Sequence, residues 1–233
     1  MNICVIPARG GSKRIPRKNI KEFNGKSIIA YSIEAAFKSN CFSQVIVSTD
    51  DDEISEVAKK YGALVPFVRP DELSNDYAGT IPVIKHAIEW MEDNNNYIEN
   101  VCCLYATAPF IQSKIISKAY QQLKDSNSDY CFSVTSFAFP IQRAIKIVQG
   151  NKVDMLYPEH FNTRSQDLEE AYHAAGQFYW GKARAFKDES PLFSEVATPY
   201  VLPRYLVQDI DTMEDWIRAE AMYKVLQETE ALL

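Results

Sequence analysis

The stretch ICVIPARGGSKRIPRKNIK, residues 3–21, decides the fold. Its first four residues are apolar and mostly β-branched, which predicts a buried strand, and the loop that follows carries six cations and no acidic residue. These cations are Arg9, Lys13, Arg14, Arg17, Lys18 and Lys21. In open α/β sheets the loops at the carboxyl ends of the strands form the ligand crevice. The stretch therefore predicts an α/β protein with an anion site after its first strand.

Small residues in this basic loop favour phosphate over other anions. Gly10, Gly11 and Ser12 allow backbone N–H groups to approach phosphate oxygens, as in other anion-binding loops. The whole chain has a net charge of −6, so a bound polyphosphate would offset a local concentration of positive charge. The loop has neither the GxxxxGK[ST] nor the GxGxxG pattern, so it is neither a Walker A loop nor a dinucleotide fingerprint. The alternative is a solvated basic surface or a nucleic-acid patch.

Composition indicates a soluble globular protein and narrows the partners. The chain has 233 residues, of which 46% are hydrophobic and 24% charged. The acidic net charge and the absence of aromatic residues within the basic loop argue against nucleic-acid binding. No apolar run approaches the roughly 20 residues of a membrane span, and a strand followed by cations reverses the order of a signal peptide. We expect a cytoplasmic protein without a nucleic-acid or membrane partner.

The five cysteines do not form a recognisable metal or disulfide pattern. Their number is odd, and the adjacent pair at 102–103 cannot be a zinc CxxC motif. Most of them lie in apolar, strand-like runs, which is typical of small buried side chains in a reducing compartment. The five are Cys4, Cys41, Cys102, Cys103 and Cys131.

Strand and helix patterns alternate along most of the chain, which predicts a mostly parallel sheet with helices on both faces. Strands are expected at 3–7, 44–49, 64–67, 101–105, 130–134, 177–180 and 200–202. Helices are expected at 28–39, 51–61, 80–93, 113–125 (with Ser113 as N-cap) and from 211 or 212 to about 226. The alternation stops after residue 136, where 145–148 and 152–155 predict a hairpin. We expect one domain, 1–233, with an insertion at about 137–180 that acts as a substrate lid or a subunit contact.

The segment Asp209-Ile210-Asp211 is a candidate metal site. Alternate residues of an extended segment point to the same side, so both carboxylates can face one ion. Hard oxygen ligands suit Mg²⁺, which usually also contacts substrate phosphates and can orient a reacting hydroxyl or lower its pKa. The alternative is that Asp211 caps the final helix.

Four motifs in order resemble one enzyme family. They are PARGGSKRIPRKNI (7–20), RPDELSNDYAGT (69–80), YATAPF (105–110) and QDIDTMED (208–215). Together they resemble the cytidylyltransferases that activate nonulosonic acids, the CMP-sialic acid synthetase-like enzymes. The resemblance covers nearly the whole chain and implies a Rossmann-like fold, CTP and a sugar acid as substrates, Mg²⁺ dependence and a homodimer.

The resemblance also bears on the sugar acid. VSTDDDEI (47–54), VPFVRP (65–70), CCLYATAPF (102–110) and HAAGQFYWG (173–181) are similar to the branch that uses pseudaminic acid. Sialic acid synthetases typically have LQPTSP where this chain has LYATAP, so Tyr105 replaces a sugar-binding glutamine. Kdo cytidylyltransferases have an aspartate at this point, and this chain has no acidic residue between Val101 and Lys114. Legionaminate and N-acetylneuraminate remain alternatives, as does a nucleotide-binding regulator without turnover.

The motifs imply roles for individual residues. Catalysis is assigned to Arg9, Lys18 and Asp211, and metal binding to Asp209 and Asp211. Nucleotide binding is assigned to Ala8, Arg9, Gly10, Gly11, Ser12, Lys18, Asn19, Arg69 and Thr80. Sugar-acid binding is assigned to Tyr105, Thr107, Arg164, Gln166, Gln177, Phe178 and Tyr179. Three alternatives stay open: Thr80 as a helix cap, Arg164 as a surface charge, and the aromatic residues as core or dimer contacts. Arg14 and Arg17 are predicted to be rim charges that steer the anion.

Overall fold

A six-stranded sheet forms the centre of the computed structural model, which describes residues 1–229. The last residues of the predicted domain, 230–233, lie outside the described residues. The strands are β1 (Asn2–Pro7), β2 (Glu22–Phe23), β3 (Lys26–Ser27), β4 (Gln44–Ser48), β5 (Asn100–Leu104), β6 (Tyr130–Ser136), β7 (Ile145–Val148), β8 (Lys152–Met155), β9 (Tyr172–Lys182) and β10 (Ala197–Val201). The α-helices are α1 (Ile28–Ser39), α2 (Asp52–Lys60), α3 (Thr80–Asp93), α4 (Ser113–Ser126), α5 (Ala183–Lys187) and α6 (Met213–Glu228).

The sheet confirms the predicted fold class, with one strand reversed. Its strand order is β10-β6-β9-β5-β1-β4. Strand β1 pairs in parallel with β4 and β5, and β6 pairs in parallel with β10. Strand β9 lies between β5 and β6 and is antiparallel to both. The sheet is therefore mixed but mostly parallel, and its parallel strands share one carboxyl edge.

Two apolar layers cover the faces of the sheet. Helices α1, α2, α4 and α6 pack on one face and α3 and α5 on the other. Ile3 and Val5 of β1 point into the second layer, and Cys4 and Ile6 into the first; none of the four is exposed. Burying an aliphatic side chain of this size stabilises the fold by about 1.5–3 kcal/mol. This two-sided burial explains why the strand is a continuous apolar run rather than an alternating one.

Three predicted local features differ in the structure. The expected strand at 64–67 is reduced to two isolated bridges, Leu64 with Ile46 and Val68 with Thr49, because Pro66 has no N–H to continue a ladder. The cap of α4 is Gln112, not Ser113, which is the first helical residue. The predicted helix from 211 or 212 begins at residue 213, after a Thr212 cap.

The insertion forms a separate two-stranded sheet, β7 with β8, as predicted. Residues 172–182, which include the last part of the predicted insertion, form β9 of the central sheet. The insertion exposes large apolar side chains, among them Phe139, Ile147, Val153 and Phe161. Within residues 1–229, no helix combines the length and the apolar character needed to cross a membrane.

Candidate functional site

A cavity of about 590 Å³ opens at the carboxyl edge of the parallel strands. Four segments line it: 7–19 after β1, 69–83 at the start of α3, 105–107 after β5, and 209–211 before α6. Each segment lies in or overlaps one of the four sequence motifs. The fold thus brings together motifs that are up to about 200 residues apart, at the place where α/β proteins bind ligands.

The cavity contains many of the predicted residues but not all. Those that line it are Arg9, Ser12, Lys18, Asn19, Arg69, Thr80, Tyr105, Thr107, Asp209 and Asp211. Ala8, Gly10 and Gly11 belong to the same loop without lining the cavity. The predicted residues at 164, 166 and 177–179 do not line it. Arg14, predicted as a rim charge, lines the cavity, whereas Arg17 does not.

Acidic side chains neutralise part of the basic loop. Arg9 forms a salt bridge with Asp76 at 2.9 Å and donates to the carbonyl of Asn75 at 2.6 Å. Lys13 also pairs with Asp76. Asp76 thus contacts two cations of the basic loop directly. A triphosphate in this cavity would compete with the Asp76 carboxylate for them.

Lys18 links the basic loop to the two carboxylates before α6. Its Nζ donates to the carbonyl of Ile210 at 2.7 Å and lies 3.5 Å from Asp211 Oδ1. Arg14 contacts the same carboxylate oxygen at 2.8 Å. Asn19 donates to the carbonyl of Arg9 at 2.9 Å, which closes the loop on itself. The predicted phosphate and metal residues therefore share one face of the cavity.

Asp209 and Asp211 carry carboxylates that do not cap the helix α6. Thr212, not Asp211, caps α6 and forms a capping box with Asp215, so the capping alternative for Asp211 is wrong. Burial, followed by the charge of Asp211, raises the pKa of Asp209, while Lys18 partly offsets this shift. Within residues 1–229, no three His, Cys, Asp or Glu side chains could hold a metal ion together. A cation here would need ligands from water or substrate in addition.

Arg69 is a buried cation with incomplete pairing. Its side chain is 3% exposed, Nε donates to Ser74 Oγ at 3.2 Å, and Nη2 lies 3.5 Å from Asp50 Oδ1. Nη2 has no hydrogen-bond partner among residues 1–229. Burial lowers the pKa of Arg69, although Asp50 opposes the shift. A buried donor without an acceptor carries a desolvation cost, which an acceptor on a ligand would relieve.

Tyr105 and Thr80 form a polar contact in the cavity wall. Thr80 Oγ1 and the Tyr105 hydroxyl are 2.9 Å apart, and the ring of Tyr105 packs edge-on against Tyr179. Burial raises the pKa of Tyr105, so its hydroxyl is neutral at physiological pH. Gly79 is the N-cap of α3, which means that Thr80 does not have the capping role considered as an alternative.

The predicted sugar-acid residues of β9 are buried next to the cavity rather than lining it. Gln177 is 3% exposed, and its Nε2 donates to the carbonyl of Leu206 at 2.5 Å, close to the segment with the two carboxylates. Phe178 lies wholly in the first apolar layer, and Tyr179 lies in the second. Their roles in sugar-acid binding stay predictions.

Arg164 and Gln166 lie on the insertion. The Arg164 side chain is 71% exposed and makes a two-point contact with Asp167, at 2.7 and 3.1 Å. Gln166 is also exposed. Their assignment to the sugar acid stays a prediction.

The sequence reasoning did not identify Asp50 and Asp51, which follow β4. Asp50 Oδ1 accepts the N–H of Gly10 at 3.0 Å, and Asp51 contacts the guanidinium of Arg17 at 2.6 and 2.8 Å. Their position in the sequence, directly after a predicted strand, could have indicated them. Two carboxylates directly after a parallel strand lie at the same sheet edge as the basic loop.

Comparisons with known proteins place the chain in a family. A family model described as "Cytidylyltransferase" matches residues 3–228. A pseudaminic acid cytidylyltransferase of Campylobacter jejuni is 49% identical over 98% of both chains. A CMP-N,N'-diacetyllegionaminic acid synthase of Legionella pneumophila is 33% identical over 97% of both chains. A solved structure of CMP:2-keto-3-deoxy-manno-octonic acid synthetase complexed with CTP shares the fold, with a TM-score of 0.68 and 18% identity over 96% of this chain and 98% of that one. The chain belongs to the cytidylyltransferase family.

Proposed function

We propose that this protein transfers CMP from CTP to the anomeric hydroxyl of a nonulosonic acid, namely pseudaminic acid, and releases pyrophosphate. One observation carries the proposal: a basic loop and a pair of carboxylates face each other in one cavity at the ligand edge of the sheet. The 49% identity to a pseudaminic acid cytidylyltransferase over nearly the whole chain supports the choice of sugar acid.

The basic loop would hold the triphosphate. Arg9 and Lys18 point cations into the cavity, and the space around the Cα of Gly11 is open, so a phosphate oxygen can approach the backbone there. The hydroxyl oxygen of the sugar acid forms a bond to the α-phosphorus of CTP and gives up its proton to solvent. The bond from that phosphorus to the oxygen of the β-phosphate breaks, and pyrophosphate leaves with the electron pair. Such a transfer depends mainly on positioning and on neutralising the phosphate charge.

Asp209 and Asp211 would hold Mg²⁺. Carboxylate oxygens are the donors that this ion prefers, and two carboxylates with phosphate oxygens and water are a typical set for it. Burial and then the charge of Asp211 raise the pKa of Asp209, and a cation would offset both effects by stabilising the ionised carboxylate. When bound, Mg²⁺ neutralises phosphate charge and orients the reacting groups. Lys18 and Arg14 compensate part of the carboxylate charge in the ligand-free protein.

The remaining cavity residues divide between the two substrates. Arg69, Thr80 and Asn19 line the cavity and would contact the nucleoside part of CTP. Tyr105 and Thr107 lie on the side of the cavity after β5 and would contact the sugar acid.

We also propose a homodimer in the cytoplasm. The insertion exposes four large apolar side chains, Phe139, Ile147, Val153 and Phe161, and exposed apolar surface favours a protein contact. The five cysteines are free, and four of them are buried, which fits a reducing compartment. Light scattering after size exclusion tests the dimer: a monomer at micromolar concentration would exclude it.

A panel of sugar acids tests the proposed reaction. Pyrophosphate release is measured with CTP and Mg²⁺ against pseudaminate, legionaminate, N-acetylneuraminate and Kdo. We expect the highest kcat/KM with pseudaminate. A preference for another acid would keep the reaction and refute the sugar assignment, whereas no release with any acid would refute both.

A further inference from the structure

One residue of the basic loop, Arg17, has an unfavourable backbone conformation. Arg17 has φ of 56° and ψ of 28°, the left-handed region that side chains other than Gly, Asn and Asp seldom adopt. Such a conformation persists only where surrounding contacts hold it. The contacts here come from Asp51, whose carboxylate oxygens accept from the Arg17 guanidinium at 2.6 and 2.8 Å, and from Glu53.

Asp51 is itself fixed in place by the fold. Its side chain caps α2 by accepting from the N–H of Ile54 at 2.9 Å. The hydrogen bonds from Arg17 lower the pKa of Asp51 to about 2, so the carboxylate is ionised at any physiological pH. Asp51 also packs against the start of the basic loop, where a Cβ at Gly10 would lie 2.6 Å from Asp51 Oδ2. One side chain at the end of β4 therefore contacts both Gly10 and Arg17.

We infer that Asp51 acts through Arg17 as a positioning residue for the phosphate-binding loop. Neither residue lines the cavity, but they hold the backbone on both sides of the loop, and Lys18 follows Arg17 directly. If Arg17 leaves its left-handed conformation, Lys18 no longer points at Ile210 and the cavity. The inference rests on the proposed function, because it assumes that the loop binds the triphosphate of CTP.

The competing explanation is that Arg17 attracts the anion by charge alone. The two explanations differ for Arg17→Lys, which keeps the charge but loses the two-point contact with Asp51. They differ again for Asp51→Asn, which keeps the helix cap, since asparagine caps as well as aspartate. That change removes one negative charge, so steering by charge alone predicts equal or better use of CTP.

The test measures CTP binding by calorimetry, kcat/KM for CTP from pyrophosphate release, and the thermal midpoint. Asp51→Asn and Arg17→Lys should each weaken CTP binding and lower kcat/KM about tenfold, the effect of losing a charge-assisted hydrogen bond. The double variant should be no worse than either single one, because both break the same contact. Asp52→Asn is the matched control: it removes the same charge from the first turn of α2, and Asp52 forms no salt bridge within residues 1–229. It should behave as the unaltered protein.

Ionic strength separates the two explanations further. The Debye length falls severalfold between roughly 50 and 500 mM salt, so an effect of electrostatic steering should shrink over this range. A loss of CTP binding caused by a misplaced loop should stay nearly the same. Wild-type values for Arg17→Lys, or a tenfold loss also in Asp52→Asn, would overturn the inference. If the unaltered protein binds no CTP, the proposed function fails and the inference with it. If it binds CTP and the variants match it, only the inference fails.

Discussion

Replacing Arg69 with methionine should abolish efficient use of CTP without weakening the fold. Methionine is flexible and apolar, fills the space of the arginine stem and carries no charge. The change removes the hydrogen bond to Ser74 and the ion pair with Asp50 at 3.5 Å, which together contribute about 2 kcal/mol. The change also removes a guanidinium that is 3% exposed and has an unpartnered Nη2. Burying this charged group costs several kcal/mol, and the variant avoids that desolvation penalty.

These two contributions nearly cancel in the ligand-free protein. The expected change in the free energy of unfolding lies between zero and about 2 kcal/mol in favour of the variant. For a chain of this size this corresponds to a rise in the melting temperature of at most about 8 °C. Binding loses a buried charged donor, so kcat/KM for CTP should fall at least about a hundredfold, or ~2.7 kcal/mol.

The reciprocal variant Asp50→Asn provides the contrast. Its amide oxygen can still accept from Gly10, but the charge of Arg69 is left without its partner, so the protein should lose about 2 kcal/mol of stability. Differential scanning calorimetry without ligands and pyrophosphate release with CTP measure both effects. The reasoning is refuted if Arg69→Met lowers stability by about 3 kcal/mol or more, or if the variant uses CTP normally.

Three further predictions concern the other face of the cavity. Asp211→Ala should lower turnover by orders of magnitude with an unchanged circular dichroism spectrum, and near-normal activity would contradict the metal assignment. Lys18→Ala should sharply raise the apparent KM for CTP in the same assay, because it removes a cation from the phosphate loop; an unchanged KM and kcat would place phosphate binding elsewhere. Asp209→Asn should be more stable than the unaltered, ligand-free protein at pH 7. The raised pKa of Asp209 means that the unaltered fold loses stability as pH rises through that pKa. The difference in unfolding free energy between Asp209→Asn and the unaltered protein should therefore grow between about pH 4 and 7. A difference that shrinks over this range would contradict the raised pKa.

Features encoded locally could be predicted from the sequence. The continuous apolar run of β1, the cations that follow it and the paired aspartates before α6 each carry their signal within a few residues. The structure brings all three together at one sheet edge, as the rule for α/β sheets implies. The hairpin of β7 and β8 was predictable for the same reason, because Gly150 and Asn151 suit a turn with positive φ.

Features that depend on distant contacts could not be predicted in this way. The direction of β9 depends on how the chain returns from the insertion, and nothing within the strand itself specifies it. The contacts of Asp50 with Gly10 and of Asp51 with Arg17 join residues 40 and 34 positions apart, respectively. In the sequence, either carboxylate alone is typical of a helix cap. Asp76 reads as a turn residue in the sequence, and its pairing with Arg9 depends on the fold of both loops.

The most direct test of the central claim is the stoichiometry of the reaction. The protein is incubated with CTP, Mg²⁺ and pseudaminate, and the conjugate of CMP with the sugar acid is quantified by mass spectrometry beside the released pyrophosphate. The proposed transfer to the α-phosphorus predicts equal amounts of conjugate and pyrophosphate, with neither formed when the sugar acid is omitted. Release of inorganic phosphate and CDP, or pyrophosphate without any conjugate, would contradict it.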